Sequence, residues 1–158
     1  VSYPGRINPG SICNDLVGLQ DFYATCAELL DLELDDGDAE DSLSFWQSLT
    51  NESGNARARK NLIHHSARGI FSIRTSQWKL IIGTGGSGGW PPPRDGEKPK
   101  PGASGQLYNI IDDPGETNNL FADYPEIAEE LTKMVEMYKE QGRTVKIDPV
   151  SGTRRLIE

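Results

Sequence analysis

The stretch "NLIHHSARGIFSIRTSQWKLIIG" (residues 61–83) decides the fold. It contains three short runs, "NLIHHS" (61–66), "GIFSIRT" (69–75) and "QWKLIIG" (77–83), rich in Ile, Phe and Trp. The breaks "ARG" and "TSQ" are too short for anything but tight connections, so the spacing predicts antiparallel hairpins. Successive side chains of a strand point to opposite faces. His64, the first of only two histidines, therefore lies with Leu62, and the adjacent His65 lies with Ile63. A strand that keeps this alternation cannot aim both imidazoles at one metal ion. One should face the packed side and one an open cleft. Lys79 alternates against Trp78 and Leu80 and should point away from them, into solvent in the simplest reading; Arg68 and Arg74 are read in the same way.

Working toward the C-terminus, "GTGGSGGWPPPRDGEKPKPGASG" (83–105) forms no regular element. Its glycines resemble a phosphate-binding loop only loosely, because Trp90 runs into Pro91, Pro92 and Pro93 where a helix would have to start. "QLYNI" (106–110) returns as a fourth strand, and "DDPGETNN" (112–119) is a turn with Asp113 and Pro114 in favourable positions. A long amphipathic helix follows. Asp123 with Glu126 resembles a capping box, Ile127, Leu131, Met134, Val135 and Tyr138 form the apolar stripe, and Gly142 suits the C-terminal end. Residues 143–158 read as a peripheral tail.

Toward the N-terminus, "VSYPGRINPGSICN" (1–14) reads as a strand end and a Pro/Gly turn. "DLVGLQDFYATCAELLDLEL" (15–34) puts Leu16, Leu19, Phe22, Tyr23, Cys26, Leu29 and Leu30 on one helical face, with Asn14 or Asp15 as cap. Cys26 is therefore expected to be a buried thiol, with a Cys13–Cys26 bridge left open. Two cysteines do not make a disulfide scaffold, nor do they have zinc-site spacing with the histidines. The acidic turn "DLELDDGDAED" (31–41) lacks the ligand pattern of a calcium loop. "DSLSFWQSLTN" (41–51) gives a short helix through Leu43, Trp46 and Leu49, and "ESGNARARK" (52–60) a basic linker. Asn51-Glu52-Ser53 matches a short glycosylation pattern.

The fold class is thus α+β: an antiparallel sheet of about four strands packed by a long C-terminal helix, preceded by helices. The expected organisation is an N-terminal part at 1–51, a linker at 52–60, a sheet-and-helix subdomain at 61–142 and the tail at 143–158. The chain has 158 residues and a net charge of −8. That charge argues against nucleic-acid or anionic-membrane partners, and no apolar run approaches the ~20 residues of a membrane span. The abrupt start without Met suggests a piece of a longer protein. Ser66 has no nucleophile-elbow context, so the residues carry no complete catalytic constellation. A non-catalytic carbohydrate- or protein-binding module, with Trp90 and Tyr108 as contacts, is the rival to an enzyme part.

The ordered series "YPGRINPGS", "DFYATCAELLDLEL", "DSLSFWQSL", "HHSARGIFSIRTSQWKLI" and "LYNIIDDPGETNNL", closed by the amphipathic helix, resembles the C-terminal part of type I sulfatases of the alkaline-phosphatase-like superfamily. It looks most like bacterial arylsulfatases, with phosphodiesterases or phosphonate hydrolases of the superfamily as the neighbouring alternative. The resemblance implies a periplasmic or secreted sulfuric ester hydrolase as parent, using calcium and a formylglycine made within C-x-[SP]-x-R. Neither cysteine stands in that motif: Cys13 begins "CNDLV" and Cys26 begins "CAELL". No catalytic residue and no metal ligand is therefore assigned here, and the chain alone is expected to be inactive. By the same resemblance, residues 1–51 would be the edge of a larger α/β domain and 61–142 one wall of the substrate cleft, with His64 or His65 touching the sulfate-ester substrate. An N-terminal catalytic domain is the implied partner. Apolar surface left bare by its absence would drive self-association.

Overall fold

The computed structural model describes residues 1–50, 59–67, 69–83, 104–148 and 153–157. The glycosylation pattern, most of the basic linker, Arg68, Trp90 and nearly all of the Gly/Pro-rich stretch lie outside them. The chain divides into two compact units, Asn61–Gln141 and Val1–Lys60 with Gly142–Glu158.

The first of these is the sheet-and-helix unit. Strands β1 (Asn61–His65), β2 (Phe71–Thr75), β3 (Trp78–Ile81) and β4 (Gln106–Asn109) pair antiparallel in sequence order. The period-two pattern fixes the register: Ile63 faces Ile73, Ile73 faces Leu80, and Leu80 faces Leu107. Ile73, Leu80 and Leu107 are fully buried and make the centre of this core. Helix α3 (Pro125–Gln141) packs against β2 and β3. Its buried positions are Ala128, Leu131, Val135 and Tyr138, with Ile127 and Met134 half-buried. The Tyr138 hydroxyl accepts a 3.0 Å bond from Asn61 Nδ2, satisfying both groups in the interior. The helix starts on Pro125, whose fixed φ suits a first helical residue, so Tyr124 and not Asp123 precedes it. Gly142 ends it in the left-handed conformation at φ +70°. The α+β class, the four strands and the long helix are as the sequence predicts.

The other unit departs further from expectation. Helix α1 spans only Asp21–Leu29. The six residues before it are not helical, because the Asp21 carboxylate turns back to accept the Gly18 N–H at 2.8 Å. The buried face of α1 is Asp21, Ala24, Thr25 and Ala27, small and polar, and not the apolar stripe. Two hydroxyls explain why. Ser42 Oγ accepts the Ala24 N–H at 2.9 Å, and Thr25 Oγ1 accepts the Phe45 N–H at 3.1 Å. Helix α2 (Trp46–Thr50) follows, with Leu43, Phe45 and Trp46 buried. Leu19, Phe22, Tyr23, Leu29 and Leu30 stay exposed. Cys26 goes with them: the expected buried thiol is instead an exposed free cysteine, as is Cys13.

Arg59, assigned from sequence to a polar linker, is 1% exposed. Its Nε and Nη2 donate to the two Asp21 oxygens at 2.7 and 2.6 Å, a bidentate pair. The expected peripheral tail is also corrected. Strands β5 (Val145–Ile147) and β6 (Arg154–Leu156) form a two-stranded sheet. Val145 is fully buried and Ile157 nearly so. Thr144 bonds the Asp41 carboxylate at 2.5 and 2.7 Å through its N–H and hydroxyl, and Arg154 donates to the carbonyls of Asp35, Asp38 and Ala39. A polar composition read as solvated thus serves to tie down the acidic turn, whose carbonyls need donors.

Candidate functional site

The sheet of the Asn61–Gln141 unit has two unlike faces. One carries Asn61, Ile63, Ile73, Leu80 and Leu107 and lies under α3. The other carries Leu62, His64, Arg74 and Lys79 together with Ser72, Ile81 and Tyr108, as the register and strand alternation require; the last three are buried, so Tyr108 is not the exposed contact that a binding module would need. The two histidines part as predicted. His65 falls on the helix side, its ring 5.9 Å from that of Phe71, over which the Lys139 ammonium of α3 sits at 4.9 Å. His65 Nδ1 lies 2.9 Å from the Ser66 carbonyl. His64 is on the opposite, charged face, and both rings are exposed.

Three further groups on the His64 face escape a reading by sequence alone. Lys79 is not free in solvent: its Nζ lies 2.6 Å from Glu116 Oε1 and its side chain is 19% exposed. Glu116 sits in the "DDPGETNN" turn with φ +54°, a left-handed backbone that costs a non-glycine residue about 1 kcal/mol. The turn is held by Asp113, whose carboxylate accepts the N–H groups of Thr117 and Asn118 at 2.8 and 2.9 Å and the Thr117 hydroxyl at 3.0 Å. These bonds, that from Asn118 foremost, hold the Asp113 carboxyl below its usual range. Arg74 stands directly opposite Lys79 in the register. It is half-buried, and its Nη1 donates to the neighbouring Thr75 carbonyl. Partial desolvation lowers the guanidinium pKa, with Glu116 opposing. The signal for Arg74 and Lys79 was present in the alternation across the two-residue turn; nothing in the sequence announced that the 112–119 turn would bring Glu116 to Lys79.

His64 is held below its ordinary pKa of 6.5, first by desolvation and then by the Lys79 ammonium, with Glu116 opposing and His65 adding slightly. The ring is therefore neutral at pH 7, able to donate from one nitrogen and accept at the other. A lowered histidine pKa means that the unfolded chain binds more protons in the window below 6.5, so stability rises with pH there. It is complete above the unfolded-state pKa and is lost as pH falls toward the lowered folded-state value. In His64→Gln, urea unfolding at roughly pH 7.5 and 5.5 is expected to show a shallower loss on acidification than the parent chain. An identical slope in the two proteins would contradict the assignment.

Among the described residues, no group of three or more His, Cys, Asp or Glu side chains is placed to hold a metal ion. The described residues assemble no oxygen-donor set for calcium, and neither exposed cysteine lies in a C-x-[SP]-x-R motif. What the charged face can do is bind: it offers a neutral imidazole, a guanidinium and a neutralised ammonium to a polar, anionic molecule. A shallow groove along α3, lined by Phe121, Pro125, Ala128 and Thr132 among others, gathers no comparable set.

Known proteins give these observations a context. No protein-family model matches the chain. It is 25% identical over 174 aligned positions to mouse Arylsulfatase J, covering 90% of this chain and 29% of that protein. It is 26% identical to the N-acetylgalactosamine-6-O-sulfatase of Bacteroides thetaiotaomicron, covering 88% of this chain and 26% of that protein. A solved Bacteroides thetaiotaomicron structure, from a locus described as orchestrating metabolism of multiple glycosaminoglycans, superposes with a TM-score of 0.60 at 26% identity, over 76% of this chain and 24% of its own. The chain thus resembles sulfatases over most of its length, and it spans under a third of the curated relatives it matches.

Proposed function

We propose that the chain is the C-terminal part of a sulfuric ester hydrolase that works in the periplasm or outside the cell, and that its four-stranded unit forms one wall of the substrate cleft. The observation that carries this reading is the similarity to two curated sulfatases along about nine-tenths of the chain. A physical feature supports it. Ile12, Leu19, Tyr23, Leu30 and Leu32 are all more than half exposed, a run of large apolar side chains along one short segment. Apolar side chains exposed to that degree fit a contact with the larger catalytic domain of the parent, whose edge residues 1–51 would complete. Bare, they would favour self-association of the chain.

Within this reading, the nucleophile and the calcium belong to other parts of the parent, and this chain alone releases no sulfate. His64, not His65, touches the substrate. Being neutral at pH 7, its ring hydrogen-bonds the sugar or alcohol portion next to the ester oxygen and does not carry a stored proton to it. The test is hydrolysis of a sulfate ester by the full-length parent. In His64→Ala, kcat/KM is expected to fall up to about tenfold, the worth of one substrate hydrogen bond. In His65→Ala it should stay within about twofold. Wild-type kinetics in both variants, or the larger loss in His65→Ala, would remove the assignment. A parent that binds sulfated sugars yet hydrolyses no sulfate ester would be a binding protein instead.

A further inference from the structure

Arg74 and Lys79 are directly opposed across β2 and β3. Like charges in that position are destabilising, where an opposite pair would stabilise. One carboxylate, Glu116, answers two cations, and it is engaged with Lys79 at 2.6 Å. Arg74 has no carboxylate partner within ion-pair distance among the described residues; its hydrogen-bond partner is a single carbonyl, taken by Nη1. A half-desolvated guanidinium whose remaining N–H fork is unused matches an oxyanion with two coplanar acceptors. His64 sits on the same face, two residues along β1 from Leu62, which faces Arg74.

We infer that Arg74, on the sheet face that carries His64, is a specificity-determining subsite for a second anionic group of the substrate, a sulfate or carboxylate other than the ester that is cleaved. The substrate it selects carries two anionic groups. This deepens the sulfatase reading and rests on it for the word substrate, but the binding itself does not depend on hydrolysis. The second anion supplies to Arg74 the countercharge that the described residues do not. By linkage its binding also favours protonation of His64, as a neighbouring negative charge does.

Two measurements test it. In the full-length parent, kcat/KM is compared for N-acetylgalactosamine 6-sulfate and its 4,6-disulfate. The disulfate-to-monosulfate ratio is expected to fall by about tenfold or more in Arg74→Gln, the worth of a lost charge-assisted bond. Arg74→Lys, which keeps the charge but not the fork, should retain only part of the preference. In the 158-residue chain, the same two sugars are titrated while the His64 imidazole resonances are followed by NMR. The disulfate should perturb them at lower concentration than the monosulfate and raise the His64 pKa, and Arg74→Gln should abolish the difference. A glucuronate-bearing monosulfate in the same titration distinguishes a carboxylate from a sulfate as the second anion. An unchanged ratio in Arg74→Gln together with equal titration by mono- and disulfate overturns the subsite and makes Arg74 the partner of a protein carboxylate elsewhere in the parent. Preference for the disulfate in the titration, with no sulfate released by the parent, would instead leave the subsite standing and remove the hydrolase reading.

Discussion

Arg59→Ala is expected to destabilise the chain by about 3–5 kcal/mol, the usual loss when one partner of a buried ion pair is removed. Both side chains are 1% exposed, so the Asp21 carboxylate left behind could not be rescued by water. Asp21 does more than pair. Its oxygens also accept the N–H groups of Gly18 and Leu43, and Arg59 donates to the Asp41 carbonyl as well. One carboxylate therefore joins the turn before α1, the segment before α2 and the end of the linker. Asp21→Ala should cost at least as much as Arg59→Ala, because it strands two buried backbone donors in addition to the guanidinium. The double variant should lose much less than the sum of the single losses. Urea unfolding of the four proteins checks this. Additive losses, or single losses below about 1 kcal/mol, would show the pair to be solvated in solution.

The second large effect is expected in the other unit. Leu80→Ala should cost about 2–5 kcal/mol. Leu80 is fully buried and faces Ile73 on one side and Leu107 on the other, both equally buried. Neighbours held by ladder hydrogen bonds cannot collapse fully into the space, so the upper half of that range is the sharper expectation. Leu80→Val, which removes less volume, should cost distinctly less. The measurement is again urea unfolding, followed by the fluorescence of Trp78 on the same strand. Equal losses for Ala and Val would mean that the site relaxes and that the packing is looser than the burial implies.

The sheet-and-helix unit was legible in the sequence because both of its periods are local. Alternation in "NLIHH", "FSIRT" and "WKLI" and the stripe Leu131, Val135 and Tyr138 each need only a few neighbouring residues to declare themselves. The first unit misled for an equally physical reason. The stripe Leu19, Phe22, Tyr23, Cys26, Leu29 and Leu30 has helical spacing, and such a stripe normally faces the core. Here Ala24, Thr25 and Ala27 face it instead, since Ser42 and Thr25 hydroxyls meet backbone donors only where small side chains allow close approach. Polarity hid Arg59, Thr144 and Arg154 in the same way. A polar or charged residue reads as solvated unless its partner is known, and the partners of these three lie between 18 and 119 positions away.

The candidate site divides along the same line. Sequence by itself determined that His64 and His65 lie on opposite faces of a strand, because the β period is two whatever the rest of the fold does. It determined the four strands, the long helix and the likeness to sulfatases. Only the tertiary structure decided which histidine shares a face with charge, since that depends on which side α3 covers. It alone brought Glu116 from 37 residues away to neutralise Lys79 and leave Arg74 without a carboxylate among the described residues. Pairing between distant segments is set by packing and turn geometry, which no single stretch of chain encodes, and it is that pairing which turns separate charges into a site.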